Sequence, residues 1–328
     1  HLQLEYTLRR SHTHSVTYRD DDGGARTVVV TSSAAGIRRH RAGGGRAAAG
    51  SLVGDSFTEG YHVDGLQTYP ALARRALGES WRTVNLGVHN YNCINYYKMA
   101  RLARERYAAA AVFVGVYIGN DILPYNRWSY KPSPTDRAHA LGVQLRSTFY
   151  LYSWLEKLRG GKWRVESADK PPEPLQVSGF FDEFDDVDCP ADSIDQFIRD
   201  YSAYRQSGNM ERLYADPWQM FLNIKATAMV LADMRRELGE TQLHVLIIPE
   251  RVQVGDQEWR WLQDSFPKLY KHRYLVIESL KRELTDRGIA FTDLLPLLDR
   301  GSYLRFDGHF SEEGHRRVAA AVAQVLGR

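Results

Sequence analysis

Apolar runs closed by Gly, Asp or Asn alternate with amphipathic stretches through most of this chain, and that alternation constrains its fold more than any other feature. "AAAGSLVGD", "TVNLGV" and "AAVFVGVYIG" read as strands. "TYPALARRALG" and "CINYYKMARLARERY", which fall between them, carry the helical period. Toward the C-terminus the pattern returns, with a long helix "MFLNIKATAMVLADMRREL", a strand "LHVLIIPE", a helix near 268–287, a strand "GIAFTDL" and a last helix opening at "SEEGHRRVAAAVAQVL". A strand, a helix and another strand in succession form a crossover, which brings successive strands into one sheet in the same direction. Such a sheet needs helices on both faces. The expected fold is therefore an α/β three-layer sandwich around a central five-stranded parallel sheet.

Two regions break the alternation. Residues 1–46 hold short β-like pieces, "LQLEYTL" and "TVVVTSS", around the turn signal "RDDDGGAR", and read as an N-terminal arm or small β extension. The main domain is expected over 47–328. Inside it, residues from about 124 to 217 form an insertion after the third strand, with an aromatic helix candidate "STFYLYSWLEKLRG", a Pro-rich link "KPPEPLQ" and an acidic segment "FFDEFDDVDCPADSIDQF". An insertion at that position starts at the sheet edge where ligands bind, which suits a covering or binding segment.

The charge balance excludes some partners. A net charge of +3, with basic and acidic residues interspersed, supplies no stripe able to neutralise many phosphates, so nucleic acid is not expected. "GIRRHRAGGGR" reads as a solvated Gly/Arg loop. No run of 18 apolar residues is present, so no membrane span is expected. The sequence begins with His1, compatible with a removed export signal or anchor; this leaves the compartment open and favours an extracytoplasmic one. Cys93 and Cys189 allow one bridge at most and fit no zinc spacing.

Open α/β sheets bind ligands beyond the carboxyl ends of their strands, and reactive residue types gather there. After the first strand comes "GDSFTEG" with Ser56; after the second, "NLG" with Gly87; after the third, "GND" with Asn120; after the fifth, "FDGHF" with Asp307 and His309. Acyl transfer needs one of each. Ser56 is the candidate nucleophile, His309 its base, and Asp307 the acid that fixes the imidazole. The backbone N–H groups of Ser56 and Gly87 and the side-chain amide of Asn120 are candidate oxyanion donors. His89, Tyr117, Tyr125 and Trp128 are candidate pocket residues. Asp55 and Asp121 are expected to cap or brace the backbone, and His315 to pack or cap. No other histidine shows a comparable partner.

These motifs together resemble those of the SGNH (GDSL) hydrolase family. The similarity extends over most of residues 36–328, with "VTSSAAGIRRH", "VDGLQTYPALARRAL" and "DLLPLL" also placed as in a bacterial subgroup. The resemblance implies a flavodoxin-like sandwich and serine-dependent ester hydrolysis without metal or other cofactor. The spacing from the acid to the histidine is two residues where many members have three, a variant that the subgroup shares. The G-x-S-x-G elbow of α/β-hydrolases is absent. The expected substrate is an acyl ester, such as an acetyl group, of a glycan or small-molecule hydroxyl. An acyltransferase with the same triad, a lipase or lysophospholipase-type esterase, and a non-catalytic binding module are the alternatives.

Overall fold

The structure is a computed structural model that describes residues 13–19, 25–31, 48–122, 217–265, 273–304 and 307–327. The expected insertion falls, apart from its final residue, outside the described residues, as do Tyr125, Trp128 and Cys189.

An antiparallel pair opens the described chain: β1 (Thr13–Arg19) with β2 (Ala25–Thr31). β2 overlaps the expected "TVVVTSS", whereas "LQLEYTL" precedes the first described residue. Val28 of β2 is buried against Leu304, and Arg26 forms an ion pair with Glu312.

The main sheet contains β3 (Ala48–Gly54), β4 (Trp81–Gly87), β5 (Ala109–Tyr117), β6 (Gln242–Ile248) and β7 (Ala290–Asp293). Every pairing is parallel, in the order β4-β3-β5-β6-β7. The helices are α1 (Ser56–Glu59), α2 (Tyr69–Leu77), α3 (Cys93–Tyr107), α4 (Pro217–Leu238), α5 (Arg251–Val254), α6 (Asp256–Ser265), α7 (Leu275–Asp286) and α8 (Glu312–Leu326).

Strand side chains alternate between two cores, as the two-residue period requires. Val53, Val112, Val114 and Ile247 join α3, α4 and α7 on one face. Leu52, Phe113, Leu246 and Ile248 join α2 and α8 on the other. This is the α/β sandwich with a five-stranded parallel sheet. It is covered on both faces, and most interior strand residues are apolar, with Ser51, Thr83 and Asn85 buried polar exceptions.

The strand order reverses at β3: the chain goes outward to β4, then crosses back to β5. A crevice opens at such a switch point, beyond the carboxyl ends of β3 and β5. Three glycines shape it. A Cβ on Gly54 would stand 1.9 Å from Thr58 Oγ1, one on Gly115 2.9 Å from the same atom, and one on Gly87 2.2 Å from the backbone nitrogen of Glu59. Adjacent strands thus end in residues without side chains, and α1 settles onto the sheet edge in the space they leave.

Candidate active site

Asp55 builds the first part of the site. Its carboxylate caps α1 by accepting from the Phe57 N–H at 3.0 Å, which places Ser56 in the first turn with its hydroxyl facing the crevice. Gly60, at φ 75°, ends the helix after four residues, since only a residue without a Cβ takes that conformation at little cost. The chain then doubles back and brings Tyr61 and His62 to the same edge.

The loop before α8 supplies the second part. Tyr303 and Phe310 bridge its base, and the Leu304 N–H donates to the His309 carbonyl at 2.7 Å. Gly308 has φ 80°, and this left-handed step lets the side chains on either side of it meet. His309 Nδ1 accordingly hydrogen-bonds Asp307 Oδ1, and Asp307 also accepts from the His309 N–H at 3.2 Å. On its other side, His309 Nε2 is 2.7 Å from Ser56 Oγ. The neighbours of the two residues lock this meeting. Phe57, next to Ser56, packs edge-on against Phe310, next to His309, with ring centroids 4.8 Å apart. Phe57 also lies 4.9 Å from the His309 ring.

Charge is set by the same contacts. Burial works to push His309 down, but the charge and hydrogen bond of Asp307, with Asp55 and Glu59 beyond it, raise it above its ordinary value. Burial would raise Asp307, yet attraction to His309 and His62 and hydrogen bonds from both hold it well below the usual carboxylate range. Burial lifts Asp55 to about 6, against the opposing pull of His309, the Phe57 N–H and the Asn120 amide.

The remaining expected residues are placed as follows. Asn120 is exposed at the end of β5, on the side of Asp55. Asp121 behind it is buried and braces the turn, accepting from the Tyr117 N–H at 2.8 Å and the Tyr96 hydroxyl at 2.8 Å. The Gly87 N–H donates to Asn85 Oδ1 at 2.9 Å, so that bond must open before this group can reach an oxyanion. Tyr117 is buried behind the site, against Phe57, with its hydroxyl donating to Glu250 at 3.1 Å. His89 is half-exposed at the rim, tied through Nδ1 and its N–H to the buried Glu59. His315 accepts the Tyr69 N–H at 3.2 Å and so caps α2.

Four site residues had no signal in the sequence. Asn85 and Glu59 brace the floor, and Tyr61 packs edge-on against His62 and tilted toward His89 and His309. His62 is the important one, because its Nε2 lies 2.9 Å from Asp307 Oδ2. The expectation that no further histidine has a comparable partner is thereby corrected. The only local clue is a histidine six residues beyond Ser56, and its partner comes from the other end of the chain.

His62, Asp307 and His309 bring nitrogen and oxygen atoms within 4.8 Å of one another. Those atoms already pair among themselves by hydrogen bonds. Among the described residues, no helix is long and apolar enough to cross a membrane.

Residues 211–328, just over a third of the chain, match the model of a family described as SGNH hydrolase-like domain, acetyltransferase AlgX. Over that stretch, which carries Asp307 and His309, the chain is similar to an SGNH hydrolase-like domain. Among solved structures, it is similar to the native aryl esterase of M. smegmatis, at 11% identity and a TM-score of 0.43 over 86% of this chain and 99% of that one. Est24, a carbohydrate acetylesterase from Sinorhizobium meliloti, is similar at 10% identity and a TM-score of 0.43, over 85% and 98%. No curated protein matches the chain.

Proposed function

We propose that this protein is a serine-dependent acyl-ester hydrolase that removes a small acyl group, such as acetyl, from a glycan or small-molecule hydroxyl. One observation carries the reading: Ser56 Oγ, both His309 ring nitrogens and the Asp307 carboxylate form a continuous hydrogen-bonded line. In the proposed reaction His309 Nε2 takes the Ser56 proton as Oγ bonds to the acyl carbon. Asp307 stabilises the imidazolium that results. The tetrahedral intermediate places its negative charge toward the Ser56 N–H and Asn120 and, once it parts from Asn85, the Gly87 N–H. Its collapse breaks the bond to the alcohol, which leaves with the proton from His309. Water, deprotonated by the same imidazole, then attacks the acyl-enzyme, and the carboxylic acid departs as Ser56 recovers its proton.

A second reading has a specific support, the family description of an acetyltransferase. Here the acyl-enzyme passes its acyl group to a sugar hydroxyl, which occupies the place of water. One experiment separates the two: a chain-length series of aryl esters, assayed with and without a sugar acceptor. A hydrolase releases acid at the same rate in both and prefers short chains. Acylated sugar formed at the expense of acid makes the protein a transferase. Fluorophosphonate treatment followed by mass spectrometry should put one adduct on the "GDSFTEG" peptide, and labelling elsewhere would remove Ser56 from either scheme.

A further inference from the structure

We propose that His62 is a positioning residue for this reaction, holding Asp307 by the carboxylate oxygen that His309 does not use. This rests on the reading that Ser56, His309 and Asp307 act together.

The acid is held at both carboxylate oxygens by two neighbouring imidazoles. His309 Nδ1 meets Asp307 Oδ1, and His62 Nε2 meets Oδ2 at 2.9 Å. A carboxylate held at one oxygen can turn about its χ2 torsion, which is broad. Held at both oxygens, its plane is fixed, and with it the direction in which it orients His309. His62 is only 4% exposed, so its bond to Asp307 meets little competition from water. It reaches this position because α1 ends at Gly60 after a single turn. A Cβ at Gly60 would come within 2.5 Å of Thr68 Cγ2, so the reversal needs glycine.

The second imidazole also tunes the first. By donating to Oδ2, His62 takes up part of the Asp307 charge that would otherwise favour the His309 imidazolium. Its ring is 5.0 Å from that of His309, so any positive charge on it opposes charging of His309 as well. Both effects act in one direction: His62 keeps His309 neutral, and able to accept a proton, at lower pH than Asp307 alone would allow. Asp307, His309 and Tyr61 are the titratable groups that face His62 among the described residues. Asp55 and Glu59 act on His309 as well.

The test compares His62→Leu, which removes the donor, with His62→Gln, which keeps an N–H at similar reach. Folding is checked first by thermal unfolding, and His62→Met replaces the leucine variant if that one does not fold. Two measurements follow, the pH profile of aryl-ester kcat/KM and the titration of the His309 ring by NMR. In His62→Leu, kcat should fall about tenfold on the alkaline plateau, with KM little changed, as loss of a hydrogen bond to a charged group implies. The acid limb and the His309 titration should both move to higher pH, and His62→Gln should lie between this variant and the unaltered protein. A folded apolar variant with unchanged profile and titration overturns the proposal. So does a glutamine variant indistinguishable from the apolar one. If the unaltered protein turns over no ester, the functional reading fails, and the NMR titration alone decides whether His62 governs His309.

Discussion

At the scale of the residue, Ser56 and His309 matter for each other more than for the fold. Removing either leaves the other with no role in the proposed step, so their losses should not multiply. Ser56→Ala, His309→Ala and the double variant are expected to fall to a similar residual kcat, several powers of ten below the unaltered protein. Independent losses that multiply in the double variant would mean that the two do not act in one step. Asp55 has a different signature. Its carboxyl lies at about 6 in the fold, against an ordinary 3.8, because burial disfavours the charged form. Below pH 3.8 the group is protonated whether folded or unfolded and contributes nothing; as pH rises toward 6, the unfolded chain loses the proton first, and folding becomes less favourable. Above that range the cost levels off on the order of 3 kcal/mol. Asp55→Asn keeps an oxygen to cap Phe57 and has no charge, so it should stabilise the protein at pH 7.5 and much less at pH 4. Equal gains at both pH values, measured by thermal unfolding, would trace the effect to packing instead.

The element that decides the geometry is α1, one turn long. Its amphipathic period is too short to read, and what forms it is the Asp55 cap at one end, Gly60 at the other and the glycines of three strands beneath. Gly87→Ala would drive a methyl into the backbone at Thr58 and Glu59, which cannot turn aside as a side chain does. The expected cost is about 1–3 kcal/mol or more, together with a much slower fluorophosphonate reaction at Ser56, since the helix that carries it must move. Gly50→Ala is the matched control. Its Cβ would meet Leu326 Cδ1 at 3.4 Å and Trp81 at 3.6 Å, close to ordinary contacts, and both stability and labelling should stay near those of the unaltered protein.

At the scale of the whole molecule, the site exists because strand ends far apart in sequence reach one edge of one sheet. Ser56 follows β3, Asn120 follows β5, and Asp307 and His309 come from the loop after β7. The proposed division of labour gives two expectations. His309 is raised above its ordinary 6.5 and must be neutral to act, so kcat/KM should be lost as pH falls through that raised value and should rise to a plateau above it. Asn120→Ala should lower kcat by about 10²-fold with little change in KM, as loss of a transition-state donor does. A change confined to KM would make Asn120 a substrate-binding residue.

The order of strands and helices, the parallel sheet, and Ser56, Asn120 and the Asp307–His309 pair at its edge were all readable from the chain, because each depends on a local period or on motifs a few residues long. Asp307 and His309 are two residues apart across a glycine, so even their contact was local. Tertiary structure alone decided the rest. It put Tyr117 behind the site against Phe57 instead of in a pocket, tied the Gly87 N–H to Asn85, and formed α1 where no pattern announced a helix. It also brought His62, from the turn after α1, onto the second carboxylate oxygen of Asp307. Periodicity fixes which face of an element is buried, but a hydrogen bond between distant residues depends on where two loops arrive, and that is settled only when the sheet has assembled.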